Sequence, residues 1–185
     1  MTGPPRPDSA RRRSEPGEDD PAVRAVLDGR DSIRLEPDLL AEPVAPERKQ
    51  SLFERVRRMP VPERVKAALR GNKETRQILA RDPVKLVQAC VLKNPRMTLE
   101  EALTMAKNRS LHGELLRIIA DQREWVRHYS VRLALVQNPK TPLQIGLTLL
   151  GGIHERDMRL LARSKNVPSV LQQQARRNLL RKEGR

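Results

Sequence analysis

The chain has 185 residues, with 37% apolar, 2% aromatic and 32% charged positions, and its charge is uneven. Residues 1–50 carry nine Lys/Arg and eleven Asp/Glu, whereas residues 51–185 carry 28 and 12. One cysteine, Cys90, excludes an intrachain disulfide framework and a thiolate metal cluster, and the longest mostly apolar window, 145–153, falls short of the roughly 20 residues that span a bilayer.

A basic part of this kind attracts polyanions: an acidic protein, nucleic acid or an anionic membrane surface. The polar first residues lack the apolar region of a signal peptide. Arg11-Arg12-Arg13 has no apolar stretch behind it, as a twin-arginine signal would. A soluble cytoplasmic protein is expected.

Residues 1–50 contain Pro at 4, 5, 7, 16, 21, 37, 43 and 46. Helices and strands rarely tolerate that density, and few apolar residues are present to offset ordering entropy. A disordered, mixed-charge arm is predicted over 1–50. Within it, Arg11-Arg12-Arg13-Ser14 fits the basic residues that many kinases read, making Ser14 a candidate phosphorylation site. Ile33, Leu35, Leu39 and Leu40 read as apolar residues of a linker, with docking on a partner or on the basic part as the alternative.

From Ser51 to the end, helix signals follow one another. Ser51 and Glu54 form a capping-box pattern, and Phe53, Val56 and Met59 suggest an opening cap helix. Gly71 marks a stop, and Asp82-Pro83 a new start. An apolar run ends at Asn94-Pro95, and Thr98 with Glu101 forms a second capping box. Asp121 with Glu124 reads as a third. Over 124–137, Trp125, Val126, Tyr129, Leu133 and Val136 form one stripe, with Val131 and Leu135 on the far side. A helix apolar nearly all round is buried from several directions. Asn138-Pro139 ends it. Thr141 with Gln144 reads as a fourth box, with Pro142 at the first helical position, and Gly151-Gly152 as another stop. Over 167–182, Val167, Leu171, Ala175 and Leu179 oppose Gln172, Gln173, Arg176, Arg177, Arg181 and Lys182, the pattern of a terminal capping helix. No segment alternates as a strand does, so the fold class is all-α.

Two spacings recur. Asn94-Pro95 and Asn138-Pro139 lie 44 residues apart, and at that offset Val87 aligns with Val131, Leu99 with Leu143, Ala102 with Gly146, Leu103 with Leu147 and Met105 with Leu149. Ile78-Leu79-Ala80, Ile118-Ile119-Ala120 and Leu160-Leu161-Ala162 recur at 40 and 42. The unit is a helix ending at Asn-Pro, a capped helix, then a short helix closing on apolar-apolar-Ala. Asn tolerates the left-handed conformation that ends helices, and Pro cannot continue one. Two turns built alike set their flanking helices alike, which allows stacking.

These residues, above all Val131-Arg132-Leu133-Ala134 leading to Asn138-Pro139-Lys140-Thr141-Pro142, resemble the signature of bacterial leucine-rich-repeat-variant and HEAT-like α-solenoids over roughly residues 60–182. The unit here is longer than the leucine-rich-variant repeat, and Gln88 stands where Arg132 sits in the next copy. The resemblance implies a short right-handed α-solenoid of HEAT/ARM-like repeats over 51–185, behind the disordered arm. It implies a binding surface and is silent on activity.

Catalytic signals are sparse. His112, His128 and His154 lack metal-ligand spacing, and no glycine-rich phosphate loop or nucleophile elbow occurs. A HEAT-like DNA glycosylase would need Trp125, Tyr129 and Asp121 on a basic face, but their stripe and cap positions favour core and cap roles. No enzyme and no cofactor is expected. The candidate binding residues are cationic: Arg123 and Arg127 one turn apart, His128 and Arg132 as a second pair, and Arg156, Arg159 and Arg163 as a row. Stacked units would merge them into a ridge that pairs carboxylates or phosphates through guanidinium forks. The favoured reading is a non-enzymatic adaptor for an acidic protein segment, with the acidic stretch 15–21 able to occupy the ridge in cis. The alternative is nucleic-acid binding through phosphates without sequence choice, since base readers and stacking aromatics are nearly missing. A membrane partner is disfavoured because no amphipathic anchor with aromatic residues is visible.

Overall fold

The computed structural model describes residues 17–41 and 47–183. Every regular element among them is a helix. Three come first: α1 (Pro21–Leu27), α2 (Pro37–Leu40) and α3 (Glu47–Arg58). Three successive groups follow. The first is α4 (Val61–Arg70), α5 (Lys73–Leu79) and α6 (Lys85–Leu92). The second is α7 (Leu99–Lys107), α8 (Gly113–Asp121), the single turn α9 (Arg123–Val126) and α10 (Tyr129–Gln137). The third is α11 (Leu143–Leu150), α12 (Glu155–Arg163) and α13 (Ser169–Glu183). In each group the first helix packs against the last: α4 on α6, α7 on α10, α11 on α13.

The junctions share one local device. At Asp20, Asp31, Asp82, Asn94, Asn108 and Asn138 a side-chain oxygen accepts from the backbone N–H two residues on, at 2.8–3.0 Å. This Asx turn reverses the chain without positive φ. The expected left-handed Asn is therefore corrected: no described non-glycine residue has positive φ, and Asn138 sits at φ −82°. What selects Asn at 94 and 138 is its second group. Asn94 Nδ2 donates to the carbonyl of Ala68 at 2.8 Å, near the end of α4. Asn138 Nδ2 donates to Ala106 at 2.8 Å and Asn108 at 3.0 Å, at the end of α7. Helix C-termini leave four carbonyls without intrahelical donors, and these buried amides satisfy some of them. Asp82 cannot donate; it takes Arg64 instead, with both carboxylate oxygens 2.6–2.7 Å from Nη1.

The predicted arm is corrected over residues 17–41. Val23, Val26 and Leu39 are buried there, and α1 and α2 pack on α4. Between them the chain runs as a strap. Lys66 Nζ donates to Asp31 and to the carbonyl of Ile33. Asn72 donates from its backbone to Leu39 O at 2.8 Å, and from its side chain to Asp38 O and Ala41 O. Thr75 Oγ1 donates to Leu39 O at 3.2 Å. Extended backbone with no neighbouring strand leaves carbonyls without donors, and groups on α4 and at the start of α5 satisfy those of Ile33, Asp38, Leu39 and Ala41. Of the two readings of Ile33–Leu40, docking on the basic part is the one observed. Ser14 lies outside the described residues.

Several caps shift. Ser51 lies inside α3, which begins at Glu47. Asp82-Pro83 precede Val84, the N-cap of α6. Thr98 and Glu101 form the expected capping box. Thr141 does not cap: its hydroxyl donates to Leu135 O at 2.6 Å, tying the turn to the end of α10. Asp121 ends α8 and faces Arg117, so it starts no helix. Gly71 does end α4, at φ −65°, where an added Cβ would lie 2.4 Å from the Ala67 carbonyl.

The predicted helix over 124–137 is broken. α9 ends at Val126, and His128 is extended at φ −79°, ψ 124° as the N-cap of α10. The break divides the apolar stripe. Trp125 and Val126 pack into a first buried cluster, which runs from Val23 to Leu135. Tyr129 and Leu133 pack into a second, from Val136 to Ala175. A straight helix would present all four on one side. Half-buried Leu149 packs against both clusters. α13 is the expected closing helix, burying Leu171 and Ala175 and exposing Arg176, Arg177, Arg181 and Lys182. Among the described residues, no helix is long and apolar enough to cross a membrane.

Candidate anion-binding cleft

An open cleft of about 330 Å³ lies where α8, α9, α10 and α11 meet. Three of the arginines singled out by sequence line it: Arg123, Arg127 and Arg132. The four-residue turn α9 positions the first two. Arg123 opens it and Arg127 caps it, and both are exposed. Arg132 comes from the first turn of α10 and is half-buried. Val126 and Leu149 give the cleft an apolar wall.

Arg132 is held in place. Its guanidinium carbon lies 5.9 Å from the centre of the Tyr129 ring, a favourable cation–π distance. On the other side, a Cβ added to Gly152 would lie 3.1 Å from Arg132 Nη1, so glycine leaves the guanidinium its room. Tyr129 is itself fixed: its hydroxyl donates to Asp157 and its ring stacks on His154 at 4.1 Å. Burial, and then the bond to Asp157, push the phenol above its ordinary pKa. Arg132 Nε is buried and has no hydrogen-bond partner. None of the three guanidiniums meets a carboxylate among the described residues. Elsewhere the buried Lys66 and Arg76 pair with Asp31 and Glu101, and the half-buried Arg64 pairs with Asp82.

The remaining candidates stand apart. Arg156, Arg159 and Arg163 occupy the exposed side of α12, whose other side buries Met158, Leu161 and Ala162. Arg159 is held by Glu155. His128 is the half-buried N-cap of α10 and does not line the cleft. The structure thus gathers three of the seven residues in one cleft, which the α12 row does not line. Nor does the acidic stretch reach it within residues 17–21: Asp20 caps α1, and Asp19 pairs with Arg24.

A larger groove, of about 1510 Å³, went unread in the sequence. Its charged lining includes Arg64 with Asp82, paired through Nη1 alone, and Arg76 with Glu101, paired through Nε and Nη2, each mutually neutralised. Burial pushes the Glu101 carboxyl up, but hydrogen bonds from Arg76 and Thr98 outweigh it and hold its pKa below the ordinary value. Thr104, Met105 and Gln88 line the same groove. The signal was present in the 44-residue offset, which pairs Thr104 with Thr148, Met105 with Leu149 and Gln88 with Arg132.

Among the described residues, no cluster of three or more His, Cys, Asp or Glu is placed to hold a metal ion. Comparison with protein-family models, with curated proteins and with solved structures found no match.

Proposed function

We propose that the chain is a non-enzymatic helical-repeat adaptor, a short α-solenoid of HEAT-like units that binds an acidic segment of another protein. The observation that carries this reading is the convergence of Arg123, Arg127 and Arg132, without carboxylate partners among the described residues, on one cleft. Guanidinium forks pair carboxylates bidentately, and a cation already held in position loses less freedom on binding. The recurrence of the Asn94 and Asn138 junctions supports the repeat architecture, because each carries an amide to the end of the first helix of the group it closes.

Fluorescence anisotropy of a labelled Glu/Asp-rich peptide, titrated with the full chain, tests the reading. Binding is expected at about 50 mM salt, weakening as salt screens the charges. The double variant R123E/R127E is expected to abolish it. The same titration with random-sequence duplex DNA separates the alternative. Tight duplex binding with a steep salt slope, and none of the peptide, would overturn the adaptor in favour of nucleic acid.

A further inference from the structure

Seven of the eight residues that line the smaller depression correspond in sequence to residues that line the larger. The N-caps Val84 of α6 and His128 of α10 set the register at 44 residues. In that register Gln88 matches Arg132, Thr104 matches Thr148, Met105 matches Leu149 and Asn108 matches Gly152, and each pair lines its own depression. Asp82 matches Val126, and Pro83 matches Arg127, again lining both. Ala80 and Ala120 correspond at 40 residues. The difference of four places an insertion between Ala120 and Trp125, at residues 121–124, which include the first half of α9.

The differences between the copies define what the second lacks. In the first, Asp82 supplies an oxyanion within the fold, and Arg64 Nη1 donates to both its oxygens at 2.6–2.7 Å. In the second, Val126 stands in place of that acid. The insertion and its flank add Arg123 and Arg127, and Arg132 replaces the neutral Gln88. The larger depression is lined by six Lys/Arg and four Asp/Glu, the smaller by three Arg and, among the described residues, no acid; Arg132 Nε, like Arg64 Nε in the larger, is buried without an acceptor. A buried donor without a partner is costly, and a ligand oxygen relieves that cost.

Resting on the adaptor reading, we infer that this cleft takes a phosphoryl monoester carried by a residue of the protein partner. Three guanidiniums with no carboxylate among them match a dianion better than the single charge of Asp or Glu. A phosphate monoester carries about −1.5 to −2 at neutral pH and presents three acceptor oxygens. Val126 and Leu149 wall the space beside the guanidiniums and receive the body of the residue bearing the phosphate.

Side-chain 1H–15N spectra of the full chain, observing arginine Nε–Hε groups, test this with phenyl phosphate as probe. The Arg132 signal is expected to shift saturably, while that of Arg156 stays in place. Phenylacetate and methyl phenyl phosphate, a carboxylate and a diester, are expected to need at least tenfold higher concentration. Val126→Asp restores the internal acid and is expected to abolish the response. Gly152→Leu fills the cleft without changing charge, and is expected to do the same if V126D does not fold. No saturable shift of Arg132 with phenyl phosphate would overturn the inference. So would an equal response to the carboxylate or the diester, or an undiminished response in a folded V126D or G152L chain. If the acidic peptide binds but phenyl phosphate does not, this inference fails and the adaptor stands. If phenyl phosphate binds and the peptide does not, the cleft stands and acidic-segment recognition fails.

Discussion

Asn138 and Ala106 are joined by a single buried hydrogen bond, side-chain amide to main-chain carbonyl, at 2.8 Å across 32 residues. The same amide reaches Asn108, and its oxygen holds the turn at Lys140. One side chain thus closes one helix and turns the chain toward the next. Asn138→Ala should destabilise the fold by about 1–3 kcal/mol, because carbonyls at the end of α7 lose their donor inside the protein. Asn138→Asp should cost more, since it turns a carboxylate toward those carbonyls. Urea denaturation of both variants checks the order; an aspartate as stable as wild type would contradict this account.

Leu39 is 1% exposed, although it lies in a proline-rich segment. Leu39→Ala should cost about 2–5 kcal/mol, the range for truncating a buried leucine. A surface linker residue would change stability by less than about 0.5 kcal/mol. The thermal midpoint of the variant separates the two.

Acid should weaken the fold through Asp31 and Glu101. The hydrogen bond from Lys66 is the main cause holding the Asp31 carboxyl below its ordinary pKa, against the opposing effect of burial. Glu101 is also lowered: burial is the largest single effect and raises it, but Arg76 and Thr98 together outweigh burial. A carboxyl with a folded pKa below its unfolded value contributes stability above the unfolded value, near 4, and loses it as pH falls through the folded one. Urea midpoints should be insensitive to these groups from pH 7 to about 5 and decline below about 4. Asp31→Asn should make that decline shallower, at lower stability throughout.

Cys90 should be inert while the chain is folded. Burial pushes its thiol up to about 11, with Lys93 opposing and Glu18 adding slightly. The thiolate is the reactive species, so little is present at pH 8. A thiol reagent added at pH 8 should label the chain only on unfolding; rapid stoichiometric labelling of native protein would contradict the burial.

The legible parts of this fold were those encoded locally. Thr98 and Glu101 lie three residues apart, and both halves of their capping box formed. The apolar positions of α13 announced a closing helix without any knowledge of its neighbours. The strap was illegible because its partners are distant: Lys66, Asn72 and Thr75 lie 31–36 residues from the groups they hold. Composition favoured disorder, and donors elsewhere in the chain overrode it. The break before Tyr129 was hidden because a continuous stripe and a divided one read alike in a single sequence. Its trace was the mismatch between offsets of 40 and 44, which falls at residues 121–124, where α9 begins. Arg123, Arg127 and Arg132 were recognisable as cations; that they share walls with Leu149 and Gly152 required the packing of α11 beside them.

The strap also imposes an order on biogenesis. During synthesis, residues 31–41 leave the ribosome well before the α4 and α5 side chains that will seat them. Until some three dozen further residues have emerged, the carbonyls of Ile33 and Leu39 are hydrated and Leu39 is open to passing chains. The earliest translated part of the described fold therefore cannot be the earliest to settle, and a nascent chain stalled before Thr75 would expose it to chaperones and proteases.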